Sequence, residues 1–289
     1  KRREEKVAEL SAFIQRFSSN ASKARQATSR KKLIEKLTID DIRPSTRKFP
    51  YINFKPARDC GNNILTIEGL SKTIEGEQVI GNLDLTVYPE DKIALVGPLH
   101  LAKTTLYRIL MGEMEPDGGS FKWGVTVSQA YFPKENSKFF DSDLNLIEWL
   151  RQYTDVEEES FVRGFLGRML FSGDESFKPV KVLSGGEKVR CMLSKMMQSG
   201  ANAMIFDEPT NHLDLEAISA LNNGLVDFPG VLIFTSHDHQ FVDTIANRII
   251  EFTPGGTIDR RMRFDDYLGS EDIRELRDSM YHGHKRLVI

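Results

Sequence analysis

The sequence predicts an α/β fold: a parallel core sheet with flanking helices, preceded by a long basic helix. Three observations predict it. Short apolar runs at Ile93-Ala94-Leu95-Val96, Met204-Ile205-Phe206 and Val231-Leu232-Ile233-Phe234 have the length and continuity of strands buried on both faces. Helical patterns separate these runs, and strands alternating with helices imply a parallel sheet. Ahead of them, Val7, Leu10, Ile14, Phe17, Ala21 and Ala24 step by three and four residues, a narrow stripe of the kind that seams two long helices.

Taken in order, the first element is the arm, residues 1–43. Its stripe slips to Leu33, Ile34 and Leu37, and Lys23, Arg25, Arg30, Lys31, Lys32 and Lys36 lie between and beyond these blocks. Glu35 is the only acid in residues 20–36, whereas a solvated surface helix mixes both signs. The helix stops by Arg43-Pro44, because the residue before proline resists helical geometry. Residues 44–63, with Pro44, Pro50, Pro56 and Gly61-Asn62-Asn63, read as a connector. Strand-like Ile64-Leu65-Thr66-Ile67 and alternating Leu83, Leu85 and Val87 flank a turn at Glu75-Gly76. Residues 143–171 and 187–198 have helical patterns, and residues 270–289 read as a charged tail in which His282 and His284 face solvent.

Composition narrows the class. The 289 residues are 40% hydrophobic and 28% charged, which excludes collagen-like, mucin-like and wholly disordered chains. No apolar run approaches the roughly 18 residues of a membrane-spanning helix, and the charged first ten residues do not resemble a signal peptide. Cys60 and Cys191, far apart in sequence, build neither a disulfide scaffold nor a metal knuckle, so a reducing cytoplasm is expected. The net charge of −3 divides unevenly: residues 1–60 hold 16 Lys and Arg against 7 Asp and Glu, and the rest is acidic. A basic arm on an acidic body suits nucleic acid or another anionic surface. The chain opens at Lys1 in mid-pattern, as expected of a fragment of something longer.

Four segments carry chemistry. Gly97-Pro98-Leu99-His100-Leu101-Ala102-Lys103-Thr104-Thr105 follows one apolar run and opens a helix. Helix-start amides attract an anion, Lys103 adds charge, and Thr104 offers a hydroxyl to Mg²⁺. Leu183-Ser184-Gly185-Gly186-Glu187 sets an N-cap serine and two glycines before a helix, exposing amides for a second phosphate contact. Ala203 to Phe206 ends in paired carboxylates, Asp207 suited to hydrated Mg²⁺ and Glu208 to acting as a base toward water. Phe234-Thr235-Ser236 leads to His237, able to touch a γ-phosphate. A metal pair at His237 and His239 is disfavoured, because alternate strand residues face opposite sides. Met192, Met196 and Met197 read as core filler.

Together these residues resemble the ABC ATPases. Leu183 to Glu187 resembles their signature, Asp207-Glu208-Pro209-Thr210 their Walker B segment, Asn211-His212-Leu213-Asp214 their D-loop, and His237 their switch histidine. The Asn-His-Leu-Asp wording, and the run from Ala21 to Leu33, are similar to the ABC-F subgroup, the latter to the end of its interdomain linker. The resemblance covers residues 1 to about 269. It implies a cassette over residues 64–269, with a parallel core sheet, an antiparallel β subdomain and a helical subdomain near residues 140–182. It further implies ATP and Mg²⁺ as cofactors, a first cassette of the same polypeptide as partner, and action on ribosomal RNA and tRNA through the arm. Each ATP would lie between the phosphate loop of one cassette and the signature of the other, so an isolated fragment hydrolyses slowly unless it associates head to tail.

The chain departs from that pattern at several points. His100 and Ala102 stand where glycines are usual, and a Cβ there penalises left-handed torsions. Ile74 replaces the aromatic residue that stacks on adenine, and Lys134 stands in place of the usual glutamine, with Gln129 nearby. Weakened turnover at this loop is the expectation. Three other readings stay open: a transporter's ATP-binding subunit, a DNA-acting ATPase, and a non-catalytic interaction module.

Overall fold

The structure, a computed structural model, describes residues 48–156 and 158–281. The basic arm, with Lys23, Arg25, Arg30, Lys31, Lys32 and Lys36, lies outside the described residues, as do His282 and His284. Two sheets form the frame. Strands β1 (Leu65–Ile74) and β2 (Glu77–Val87) make an antiparallel hairpin. Its turn needs positive φ at Glu75 (51°) and Gly76 (85°), and the glycine adopts it without a Cβ clash. Strand β3 (Lys92–Val96) then enters the second sheet, and helix α1 (His100–Leu110) follows. Strand β4 (Gly118–Trp123) returns to pair antiparallel with β1, giving a three-stranded sheet in the order β2-β1-β4.

A helical region interrupts the sheets. After β5 (Gln129–Phe132) come α2 (Leu146–Arg151) and α3 (Glu159–Arg168), interspersed with short 3₁₀ turns at Ser137–Phe140, Gly173–Phe177 and Val180–Val182. Asn145 starts α2 with a reciprocal cap: its side chain accepts from the Glu148 amide while Glu148 accepts from the Asn145 amide. Helix α4 (Gly185–Gln198) leads back to β6 (Ala203–Asp207), α5 (Leu215–Val226), β7 (Val231–Thr235), α6 (His239–Ile245), β8 (Arg248–Thr253) and β9 (Gly256–Arg260). The larger sheet has the order β5-β6-β7-β3-β8-β9. Its first five strands are parallel, and β9 closes the edge antiparallel to β8.

Side-chain alternation explains why the central runs are apolar throughout. On β3, β6 and β7, residues Ile93, Leu95, Ile205 and Ile233 face a core shared with α1 and the antiparallel sheet. Their neighbours Ala94, Met204, Phe206 and Phe234 face the helical side, where Cys191, Met192 and Met196 of α4 pack. A strand with cores on both faces has no room for a polar residue until it reaches its end.

Two segments differ from the sequence reading. The connector is part of the core: Ile52 and Phe54 are buried, and Phe54 meets Phe206 and Phe228 edge to face at 5.7 and 6.3 Å. Its prolines signalled a linker because they bar regular secondary structure, yet they leave the intervening side chains free to pack. The tail, likewise, is helical after α7 (Phe264–Gly269): α8 (Glu271–Tyr281) packs back on β8. Its anchor is Glu251, a carboxylate buried in the middle of β8. Glu251 accepts from the hydroxyls of Tyr267 and Tyr281, at 2.5 and 2.6 Å, and pairs with Arg277 at 2.9 Å. One arginine and one tyrosine of this charged stretch answer a carboxylate that no local pattern reveals. Removing one partner of a buried pair leaves the other charge desolvated. We expect Arg277→Met to destabilise the protein by about 3 kcal/mol, measured as a lower urea midpoint. A midpoint equal to wild type would show that the two tyrosines suffice.

Candidate nucleotide site

Parallel pairing sets the site. Asp207 of β6 lies opposite Thr235 of β7, and β3 pairs with β7 on its other side. The carboxyl ends of three strands therefore open onto one crevice, the place where parallel α/β sheets hold ligands.

The phosphate loop leaves β3 through Gly97, whose φ is 97°. A Cβ at Gly97 would stand 2.3 Å from the Phe252 carbonyl oxygen, so glycine is required by both torsion and space. His100 and Ala102, by contrast, are absent from the described residues with positive φ. The expected torsional penalty of their Cβ atoms does not arise. Ala102 is fully buried within α1 and packs its methyl into the core, whereas His100 and Leu101 are exposed. Pro98 and Leu99 are half-buried, and no side chain caps the start of α1; the His100 amide donates to the Pro98 carbonyl at 2.9 Å, which leaves the Leu101 and Ala102 amides to face an anion.

Lys103 folds back so that its Nζ donates to the Gly97 carbonyl at 2.9 Å. Burial holds its pKa below the usual lysine range, against the opposing pull of Glu208 and Asp207. Thr104 donates to Asp207 Oδ2 at 2.9 Å, and Thr235 donates to Asp207 Oδ1 at 2.9 Å. Thr105, next in α1, is buried. A hydroxyl and a carboxylate meeting at a helix start form a hard oxygen donor set that fits Mg²⁺. Thr235, which the sequence reading passed over, also accepts from the Glu208 amide at 3.0 Å. Its signal was available: a polar residue closing an apolar strand one step before Ser236-His237.

Glu208 has a φ of 53° and is 4% exposed. Its Oε1 lies 3.1 Å from His237 Nε2, whereas its Oε2 is buried without a partner. Burial raises the Glu208 pKa, and His237, Lys103 and Lys134 pull the other way. The His100 ring sits 5.4 Å from that of His237. Burial, Lys103, His237 and Lys134 each depress the His100 pKa. Lys134, on the loop after β5, is thus within electrostatic reach of the site. Ile74 is the last residue of β1, half-buried and paired with Glu77 across the hairpin. His239 turns away toward Asp265, at 3.3 Å.

The second motif caps α4. Ser184 accepts from the Glu187 amide at 3.4 Å, and Glu187 accepts from the Ser184 amide at 2.7 Å. Lys178 pairs with Glu187 at 2.8 Å. Gly185 and Gly186 lie against His212, and a Cβ on Gly186 would come within 2.8 Å of the His212 carbonyl. Asp214, meanwhile, caps α5 by accepting from the Ala217 amide at 2.8 Å.

A glycine-led loop, a strand-end carboxylate pair and a histidine above it have the arrangement of a P-loop nucleotide-binding domain. Comparisons with known proteins then specify the kind. A family model described as ABC transporter matches residues 80–211, and a second with the same description matches residues 1–54. The uncharacterized ABC transporter ATP-binding protein YkpA of Bacillus subtilis is 61% identical over 97% of this chain and 52% of its own length. ABC transporter F family member 5 of Arabidopsis thaliana is 30% identical over 89% of this chain and 37% of its own. The solved structure of cbiO1 from Clostridium perfringens, part of the ABC transporter complex cbiONQ, superposes with a TM-score of 0.55 at 16% identity, over 76% of this chain and 95% of that one. This chain belongs to the ABC family of ATP-binding cassettes. It spans about half the length, or less, of the curated relatives it matches. Among the described residues, no helix is long and apolar enough to cross a membrane.

The cap of α4 makes a pH prediction. Burial pushes the Glu187 pKa up, but the Lys178 and Ser184 hydrogen bonds outweigh it and bring the group down to about 2. A carboxylate depressed in the folded state contributes stability above its unfolded pKa and loses it as pH falls toward the folded one. Glu187→Gln should therefore melt at lower temperature than wild type at neutral pH. The gap should close as pH falls from about 4.5 to about 2, read by thermal melts across that window.

Proposed function

We propose that this chain is the ATP-hydrolysing second cassette of a two-cassette protein of the ABC-F type, acting on the ribosome in the cytoplasm. One observation carries the catalytic part: a buried Glu208 held 3.1 Å from His237, next to an Asp207 that Thr104 and Thr235 orient. Loop amides from Gly97 to Thr105, with Lys103, would bind the phosphates. Thr104 and Asp207 would hold Mg²⁺, which neutralises phosphate charge when bound. Burial raises the basicity of Glu208, so the carboxylate is better able to take a proton from an attacking water. His237 would contact the terminal phosphate and steady Glu208. Lys134 adds positive charge beside the phosphates, and Ile74 would offer aliphatic packing to the base.

Ser184, Gly185, Gly186 and Glu187 would serve the nucleotide of the first cassette. Support for the ABC-F reading comes from Asn211-His212-Leu213-Asp214, from the similarity to a relative named as an F family member, and from relatives about twice this length or longer. The lysines and arginines of residues 23–36 would engage rRNA or tRNA through backbone phosphates.

ATP titration separates binding from chemistry. Lys103→Ala should abolish binding, while Glu208→Gln should retain it and lower turnover by roughly 10²–10⁴-fold, the usual contribution of a general base. Equal binding by wild type and Lys103→Ala would mean that the loop does not hold nucleotide. Turnover per chain should rise with protein concentration as head-to-tail pairs form; a high, concentration-independent rate would refute cassette sharing. The parent protein should pellet with ribosomes in ATP and bind DNA more weakly at matched salt, and the reverse order would favour a DNA-acting ATPase.

A further inference from the structure

The phosphate loop carries an imidazole that phosphate binding does not require. His100 is exposed at the start of α1. Beside it stand His237 and Glu208. One ligand atom from each of the three lies within 4.8 Å of the others. The Glu208–His237 edge is already 3.1 Å, close to the roughly 3.3 Å between neighbouring donors around tetrahedral zinc on bonds of about 2.0 Å. The His100 side chain, at the surface, has freedom to close the remaining gap.

We propose that His100, His237 and Glu208 form a binding site for a borderline divalent cation of the zinc type. A second observation points to a ligand: Glu208 Oε2 is buried and has no partner, although the residue is only 4% exposed. An orphaned carboxylate oxygen costs free energy until something positive or protic meets it. Imidazole nitrogens prefer zinc, cobalt or nickel to Mg²⁺, which takes oxygen donors, so this donor set is chemically distinct from the pair at Thr104 and Asp207. Three protein ligands leave a fourth position open to water or a phosphate oxygen. Lys103 and Lys134 face the cluster as well as Asp207, so charge balances only with Glu208 itself counted, and coordination rather than long-range attraction supplies the selectivity. The site overlaps the space assigned above to the terminal phosphate. Antagonism between the metal and Mg²⁺-ATP rests on the function proposed there, whereas metal binding itself does not.

The test is Zn²⁺ titration of the nucleotide-free protein against a chromophoric chelator, with Co²⁺ absorption as a reporter of tetrahedral geometry. One tight Zn²⁺ per chain is expected. His100→Gly and His237→Ala should each weaken it by more than the roughly 10–100-fold that loss of an outer partner costs. His239→Ala, whose imidazole pairs with Asp265, should bind like wild type. Circular dichroism confirms that the variants fold, and His100→Asn serves as a second surface variant. Wild-type affinity in both His100 variants, or a loss in His239→Ala, overturns the assignment. ATP affinity measured separately without zinc keeps failure of this site distinct from failure of the nucleotide reading.

Discussion

Parallel hydrogen bonding between β3, β7 and β6 is the constraint on which the rest depends. It aligns three strands so that each runs out of buried space at the same edge of the sheet. Along their lengths, both faces are apolar, and a polar side chain would have no partner. At the edge, Gly97, Asp207, Thr235 and the residues after them meet within a few ångströms. The donors and acceptors there answer one another: Thr104 and Thr235 on the two oxygens of Asp207, Lys103 on the Gly97 carbonyl, His237 on Glu208.

One atom in this network stays unanswered. Glu208 Oε2 is desolvated and unpartnered, which costs free energy until a protic or positive group meets it. The same desolvation raises the basicity of the carboxylate, which suits it to proton transfer. A single physical cause, burial at a strand end, thus both raises the Glu208 pKa and leaves its Oε2 without a partner. His100 adds a nitrogen donor at that point without straining the backbone, because its φ is ordinary.

Support for the loop comes from farther away. Gly97 abuts the Phe252 carbonyl of β8, and the neighbouring residue on that strand is Glu251, tied by Tyr267, Tyr281 and Arg277. The last described helix therefore braces the strand behind the phosphate loop. On the opposite face, Phe54 of the connector packs on Phe206, the residue before Asp207. Segments that look peripheral by composition hold the strands whose ends carry chemistry.

Periodicity and local residue chemistry determined the buried strands, the strand-turn-helix at Gly97 to Thr105, the capped glycine pair and the strand-end carboxylates Asp207 and Glu208, because each is written in adjacent residues whose local geometry follows from their chemistry. Other features depend on partners distant in the chain. Thr235 became part of the site only through its register with Asp207, and His100 met His237 only because β3 and β7 pair. The packing of the connector and of α8 was not legible for the same reason: proline and charge report on local backbone and average solvation, whereas burial of Phe54 against Phe206 and the pairing of Glu251 with Arg277 are decided by residues more than 20 positions away. Sequence settles what each short segment can become; packing settles which of those segments complete one another's unmet contacts.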